Sequence, residues 1–468
     1  MKINQTIHST PSFNVLSEDQ IELIFYDALD VLEGAGVRVV SHHALELLRQ
    51  SEALVTDGDL VRFPPGLVEQ ALKGHPSKIN LRGRSRGTRV RLQKDQVHFS
   101  NGVVRSGQGG LSRVEDLADT ARIVDSLPNL DCLTVSLGGD LAHSGRTGAA
   151  LLRIVKECSK PLVLRTEHLQ AVKALWAMAS VIRGGEDRLR LNPYFLVQIA
   201  PESRLGLSEQ ALQTLLFCAD KNIPCALLPC CLAGKTAPAS LAGALVHALA
   251  DCCLGSVIAT MSRPGMPLVM GGRISMPSPG SGTALLAAPE NWLVQAGLTD
   301  ICKWLNLPVS CSAGCTDVPC LDEQAVLELT PSLSYGYLSG ASLIQGLGCL
   351  DSGRKPSLEA LILGHEIIGM IAHIGKGIRT EDEYMALDVI EEIGPGGEYL
   401  TAEHTLVHFR DWFRPELCSR ADVATWVAEG KKTMLRRVEE KKEHILREHV
   451  PDPLEDALHQ ELTRLVPG

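Results

Sequence analysis

The 468-residue chain is short of aromatic residues and of positive charge, and each shortage narrows its chemistry. Lys and Arg number 45 against 55 Asp and Glu, a formal charge of -10. That balance leaves no broad basic face for a phosphate backbone, so nucleic acid is excluded as a main partner. No clean membrane span is present either. The most apolar window, 240–261, is interrupted by His247 and Asp251, and its Ala, Gly and Cys content suits a helix packed tightly in a core. The first eleven residues lack the basic, apolar and small-residue succession of a secretory signal, which makes a cytoplasmic location the expectation.

Familiar catalytic equipment is missing as well. There is no phosphate loop of Gly-x4-Gly-Lys-Ser/Thr form, no HExxH and no CxxC, and no nucleophile elbow between a strand and a helix. Gly107, Gly109 and Gly110 lack the spacing and acidic follow-up of a dinucleotide fingerprint. The 14 cysteines, including Cys230-Cys231 and Cys252-Cys253, form no small-scaffold framework and read as reduced, mostly buried thiols.

What is present is a strong periodicity. Between residues 96 and 375, eight short apolar runs alternate with helical patterns about every 35 residues: 97–99, 132–136, 161–164, 194–198, 224–228, 267–270, 308–311 and 343–345. Repeated strand-then-helix units in this number predict a TIM (β/α)8 barrel, with a doubly wound open sheet as the competitor. Residues 1–95 read as a helical cap ending in a hairpin over 78–94, with a capping-box start at Ser17 and Gln20 and helices near 42–50 and 66–72. Residues 376–468 read as a charged helical extension, with helices over 380–393 and 421–449.

A barrel of this kind places its chemistry after the carboxyl ends of its strands. The residues there are Ser100-Asn101-Gly102, Gly138-Gly139-Asp140, Arg165-Thr166-Glu167, Gln198, Pro229-Cys230, Gly271-Gly272-Arg273, Ser312 to Asp317, and Gln345-Gly346. A metal alternative is Cys311, Cys315 and Cys320, a spacing that matches no standard zinc site. The basic run Arg82, Arg84, Arg86, Arg89, Arg91 and Lys94 reads either as a solvated hairpin face or as a dock for an acidic protein.

Several stretches are similar to one family. Pro289-Glu290 through Leu307-Pro308, Thr316-Asp317, Asp322-Glu323-Gln324-Ala325, Glu328, Gly340-Ala341 and Leu350-Asp351-Ser352-Gly353 resemble the trimethylamine methyltransferase family. So do both ends, from Leu16-Ser17-Glu18-Asp19-Gln20 and Leu32 to Val37 through His404-Thr405-Leu406, Phe409-Arg410 and Trp426, so the likeness covers about residues 15 to 450. It implies a barrel enzyme that moves a methyl group from a methylated amine to the cobalt of a corrinoid carried by a separate protein, with no metal bound by the chain itself. Archaeal members that use trimethylamine carry pyrrolysine. This sequence has none and resembles the branch whose substrates are quaternary amines such as glycine betaine.

The resemblance and the rim together assign candidate roles. Glu290, Asp317 and Glu328 are candidate catalytic carboxylates for the ammonium substrate or for shaping the rim, and Gln198 and Gln345 are polar orienters. Arg165 and Arg273 would bind a betaine carboxylate. A quaternary ammonium favours aromatic faces, for which Phe99 and Tyr335 are chosen from a few candidates that also include Tyr194, Phe195 and Tyr337. The family often has an acidic residue in the loop after the sixth strand, where this chain has Arg273 to Gly280. A tertiary-amine enzyme, a thiol-zinc methyltransferase and a non-catalytic partner of a corrinoid protein are the alternatives. A homo-oligomer is expected.

Overall fold

The computed structural model describes residues 11–85, 87–102, 114–137, 147–166, 168–202 and 204–466. Arg86, Gly107, Gly109, Gly110, Gly138-Gly139-Asp140 and Glu167 lie outside them.

All eight apolar runs are strands of one parallel sheet. In chain order they are β1 (His98–Asn101), β2 (Leu133–Ser136), β3 (Leu162–Arg165), β4 (Phe195–Ile199), β5 (Cys225–Leu227), β6 (Leu268–Gly271), β7 (Val309–Ser312) and β8 (Leu343–Leu347). Each is hydrogen-bonded to the next from β2 to β8, and β8 pairs with β1. The helices that follow them are α1 (Val114–Ser126), α2 (Thr147–Glu157), α3 (Leu169–Arg183), α4 (Glu209–Lys221), α5 (Leu241–Ser262), α6 (Pro289–Trp304), α7 (Glu323–Ser339) and α8 (Leu358–Ile374). The window that resembled a membrane span is α5. Most of it is buried inside the fold, packed against α4, α6 and the amino-terminal helices Glu18–Gly34, His42–Arg49 and Pro65–Lys73.

The ring closes between β1 and β2 in an unusual way. Their backbones share one bridge, Ser100 to Cys132. Beyond it the ladder is continued by a side chain: Asn101 Nδ2 donates to the Thr134 carbonyl at 2.8 Å, and the Thr134 N–H donates to Asn101 Oδ1 at 2.8 Å. Ser100 Oγ adds bonds to the Cys132 carbonyl (3.0 Å) and to Thr134 Oγ1 (2.6 Å). An amide side chain carries the same donor and acceptor as a peptide unit, so Asn101 stands in for a strand residue at the seam.

The amino-terminal mouth is plugged. The hairpin strands Ile79–Arg82 and Arg89–Leu92 pair antiparallel, and their inward residues Ile79, Leu81, Val90 and Leu92 pack on Val163, Leu196, Ala226, Val269 and Leu343 inside the barrel. Arg82 N donates to the Pro193 carbonyl and Arg84 N to that of Ser159, both of which precede strands. The described part of the basic run therefore sits at the end opposite the strand carboxyl termini, away from the rim. Gly83-Arg84-Ser85-Arg86-Gly87, which spells GxSxG, joins the two hairpin strands and precedes no helix.

Ser17 caps Glu18–Gly34 with the expected capping box, its Oγ accepting from Gln20 N at 3.3 Å and its N–H donating to Gln20 Oε1 at 3.0 Å. The carboxyl-terminal helices are shorter than the sequence pattern implies. Ala386, at φ 50°, splits the first into Asp382–Met385 and Leu387–Ile393, and Gly430 and Lys431, at φ 85° and 54°, separate Val423–Ala428 from Met434–Glu448. Periodicity carries across such breaks because a left-handed residue need not disturb the apolar spacing. Met434–Glu448 buries Val438 and Ile445 on α8 and α1, with Lys442 paired to Glu359 on its flank.

Replacing Asn101, which is 4 % exposed, by Ala would strand the Thr134 N–H and carbonyl at the seam. We expect Asn101→Ala to cost about 2–3 kcal/mol in denaturant unfolding. A loss below about 0.5 kcal/mol, the size of an ordinary surface change, would remove Asn101 from barrel closure.

Candidate active site

Strand alternation sorts the rim. Val163, Leu196 and Leu343 face inward over the plug. Two residues further on, the same faces present Arg165, Gln198 and Gln345, with Arg165 beside Gln198 and Gln345 beside Ser100 and Ser312. The interior thus changes from apolar to polar toward the strands' carboxyl ends. Above it opens a cavity that is continuous with solvent. Leu228 is shared between the apolar core and the cavity wall. Arg165, Gln198, Arg273, Ser310, Ser312 and Gln345 supply the polar wall, with Cys315 and Cys349 beside them.

Local structure holds these groups in place. Arg273 opens a short strand, Arg273–Pro277, that pairs with Cys230–Leu232 beyond the barrel strands, and its N–H is bonded to the Pro229 carbonyl at 2.8 Å. Gln345 Nε2 donates to Ser310 Oγ at 3.1 Å. The register between β8 and β1 slips just after Gln345, where Gly346 takes φ 138° and a Cβ would lie 2.4 Å from the Ala313 carbonyl oxygen, so this bulge requires glycine. Gln198 Oε1 is buried, with no hydrogen-bond partner among the described residues. A buried carbonyl oxygen without a donor costs free energy unless a ligand or water meets it.

Four of the nine candidate site residues therefore come together: Arg165, Gln198, Arg273 and Gln345. The aromatic candidates do not. Phe99 lies between the inward His98 and Ser100 and so points outward, where it stacks on Tyr337 of α7 at 6.3 Å. Tyr335 lies between α6 and α7 behind β7, stacked on Trp292 and edge-on to Phe13. Both are corrected from substrate contacts to outer packing, because strand and helix periods, not proximity in sequence, decide which side a ring faces.

The carboxylates are braces. Asp317 accepts from Leu286 N (2.8 Å), Ala287 N (3.0 Å) and Ser352 Oγ (2.8 Å), which ties together three rim segments, two of which supply Leu286 and Gly353 to the cavity. Glu328 in turn accepts from Asp317 N at 2.9 Å, from Thr316 Oγ1 and from Gln324 Nε2 at 2.7 Å. Asp322 caps α7 through Ala325 N. Glu290 is exposed in the first turn of α6 and stands outside the cavity wall. Glu290, Asp317 and Glu328, expected at the substrate, thus stand outside the described cavity wall, the last two as acceptors that bind its segments together.

Of the three cysteines of the metal alternative, Cys311 on β7 and Cys315 both line the cavity, Cys315 as the parallel bridge partner of Cys349, whereas exposed Cys320 stands apart and donates to Asp322 Oδ2 at 3.6 Å. Two positions escaped the sequence reading. Gln295 on α6 donates to the Gly272 carbonyl (2.9 Å) and accepts from Ser312 N (3.0 Å), pinning the ends of β6 and β7. Its signal was a buried amide in an apolar helix. Cys349 follows β8 and carried no signal, because nothing in the sequence pairs it with Cys315.

The model of the Trimethylamine methyltransferase (MTTB) family matches residues 1–467. The chain belongs to that family. It is 28 % identical to the trimethylamine methyltransferase of Desulfitobacterium hafniense strain DSM 10664 / DCB-2, over 96 % of this chain and 92 % of that one. It is 27 % identical to the glycine betaine methyltransferase of Desulfitobacterium hafniense strain Y51, over 97 % of both chains. The trimethylamine methyltransferase of Methanosarcina barkeri is 28 % identical over 97 % of this chain and 94 % of that one. Among solved structures, the monomethylamine methyltransferase of Methanosarcina barkeri superposes with a TM-score of 0.52 at 11 % identity, covering 92 % of this chain and 89 % of that one. That likeness shows the shared barrel fold. This family member is an enzyme, a methyltransferase.

Asp317→Asn weakens the brace without touching the arginines. We expect a stability loss of about 1–3 kcal/mol and a raised KM. Glu290→Gln should leave both unfolding midpoint and turnover close to the parent, and a turnover loss above about tenfold would return Glu290 to the chemistry.

Proposed function

We propose that this methyltransferase takes its methyl group from a betaine-type quaternary amine and passes it to the Co(I) of a corrinoid carried by a separate protein. The observation that carries the reading is the charge of the cavity: Arg165 and Arg273 line it, and no carboxylate does among the described residues. Two guanidiniums at a polar rim suit a substrate bearing a carboxylate, which trimethylamine lacks. The absence of pyrrolysine from the sequence supports the same choice.

A quaternary nitrogen is already cationic. When its methyl group departs, the bonding pair stays on nitrogen and a neutral tertiary amine leaves, so the chain needs no acid to activate the donor. Bound to its own carrier, the corrinoid supplies a strongly nucleophilic metal as co-substrate. This chain must then admit a flat macrocycle, and the cavity wall fits that need: Gly272, Gly346 and Gly353 present no side chains there.

The residues' share is position and electrostatics. Arg165 and Arg273 fix the carboxylate. The unpartnered oxygen of Gln198 meets the polarised N-methyl carbons, and Ser310 holds the Gln345 amide in one orientation. Gln295, Asp317 and Glu328 keep the wall rigid, which matters because small misplacements of bound reactants cost large factors in rate.

The test is anaerobic methylation of reduced cobalamin or the cognate corrinoid protein, followed by absorbance, with glycine betaine, proline betaine, carnitine, γ-butyrobetaine, choline and trimethylamine supplied separately. Activity with a carboxylate-bearing amine and none with choline or trimethylamine is expected. Activity with trimethylamine alone overturns the betaine reading. Arg165→Met should lower kcat/KM for the betaine by about 10–100-fold, the worth of one charged hydrogen-bonding group.

A further inference from the structure

The carboxyl-terminal extension presents an apolar face that no described residue covers. In its helices Asp382–Met385, Leu387–Ile393, Glu403–His408 and Val423–Ala428 no residue is buried. Ile378, Met385, Leu387, Leu400, Leu406 and Trp412 are 51–93 % exposed. Together they present on the order of 800 Å², the share each partner gives to a standard interface and more than a monomer commonly leaves in water. The segment is held in shape. Tyr384 packs edge-on against His408 at 4.8 Å, a His404 ring nitrogen bonds the Glu383 carbonyl at 3.2 Å, and Glu366 of α8 anchors the far end by accepting from the N–H groups of Glu416, Leu417 and Cys418.

The same segment is acidic. Residues 376–408 hold eight carboxylates against Lys376 and Arg379, a net -6 of the chain's -10. Asp382, Asp388, Glu391, Glu392, Glu398 and Glu403 form no ion pair among the described residues. Two such segments set face to face would repel each other, so the surface that suits them is basic. The chain has one, the hairpin at the plugged mouth. Arg82, Arg84, Arg89, Arg91 and Lys94 form no ion pair among the described residues either, Arg84 Nη1 and Arg89 Nη2 donating to the Pro453 carbonyl and to Asn80 Oδ1. Apolar groups flank them. Leu191 and Val450 are each 81 % exposed, Leu191 beside Asn192, whose carbonyl Arg183 ties to that of Arg82, and Val450 three residues before Pro453.

Both surfaces lie at one end of the barrel. Helix α8 runs back against the strands and ends at Ile374, so the extension starts at the plugged mouth. There a Cβ at Gly375 would lie 2.5 Å from the Tyr337 ring on the last turn of α7, and one at Gly340, just beyond that helix, 2.8 Å from Asp95 Oδ1 at the foot of the hairpin. A two-fold axis at this end can therefore satisfy both surfaces twice over.

We propose that a second copy of this chain covers this face: in a two-fold dimer, the acidic apolar segment 376–412 of each copy docks on the basic hairpin mouth of the other. Complementary charge selects the pairing of unlike faces, and the exposed apolar side chains supply its area. The two cavity rims then point away from each other, so both stay open to substrate and corrinoid. This inference does not depend on the betaine reading.

Sedimentation of the full chain at about 10 µM tests it, alongside the charge reversals R82E/R89E and E391R/E392R, all four at exposed positions, and the chain carrying both pairs. Unfolding midpoints of all variants are measured in parallel to confirm that each is folded. The parent should sediment with the mass of two copies or an even multiple of them. Each reversal alone should weaken the association at least about tenfold, and the combined variant should recover it, because unlike charges face each other again. A monomeric parent, an odd-numbered assembly, or a dimer that survives either reversal within about twofold overturns the proposal. So does a combined variant that associates no better than the single reversals.

Discussion

The inward and outward alternation of eight parallel strands is the constraint on which the rest of the structure depends, and it holds only in a closed ring. Closure is weakest between β1 and β2, where one backbone bridge is extended by the amide of Asn101 on Thr134. Once the ring is shut, side-chain direction follows with period 2. Leu343 faces the plug and Gln345, two residues on, faces the cavity. The hairpin below fills the other mouth with Leu81 and Leu92, so the polar layer forms above a dry floor that keeps the arginines at one end only.

Much of this architecture was legible in the sequence. The eight apolar runs coincide with the eight strands to within a residue or two, because buried parallel strands are continuous apolar segments and the helices between them keep their spacing. Arg165, Gln198, Arg273 and Gln345 were legible for the same reason: each stands at or just after a strand's carboxyl end, the place a barrel exposes. Phe99 and Tyr335 were misplaced because nearness to a strand end says nothing about which face of the strand or helix a ring occupies. Cys349's place in the cavity wall stayed hidden because its bridge partner Cys315 lies 34 positions earlier, a juxtaposition only the fold creates.

The carboxylates show a related gap between motif and chemistry. Thr316-Asp317, Glu328 and Ser352 are among the residues that carry the family resemblance, and in the structure they bond to one another and to the backbone of Leu286 and Ala287. A carboxylate that accepts three or more hydrogen bonds from its own chain is a structural hub, and moving it would shift several rim segments at once. Such residues hold the shape of the rim and need not touch the amine themselves.

Selectivity for a particular amine must then come from elsewhere, from groups whose charge differs between substrates. A tertiary amine bears one titratable cation, whereas a betaine bears a fixed cation and an anion a few ångströms apart. A cavity with two guanidiniums and no carboxylate among its described lining residues opposes the first and can accept the second. On the proposed betaine reading, scaffold and substrate choice reside in different residues of one rim, the first in its hydrogen-bonded braces and the second in the charges they hold apart.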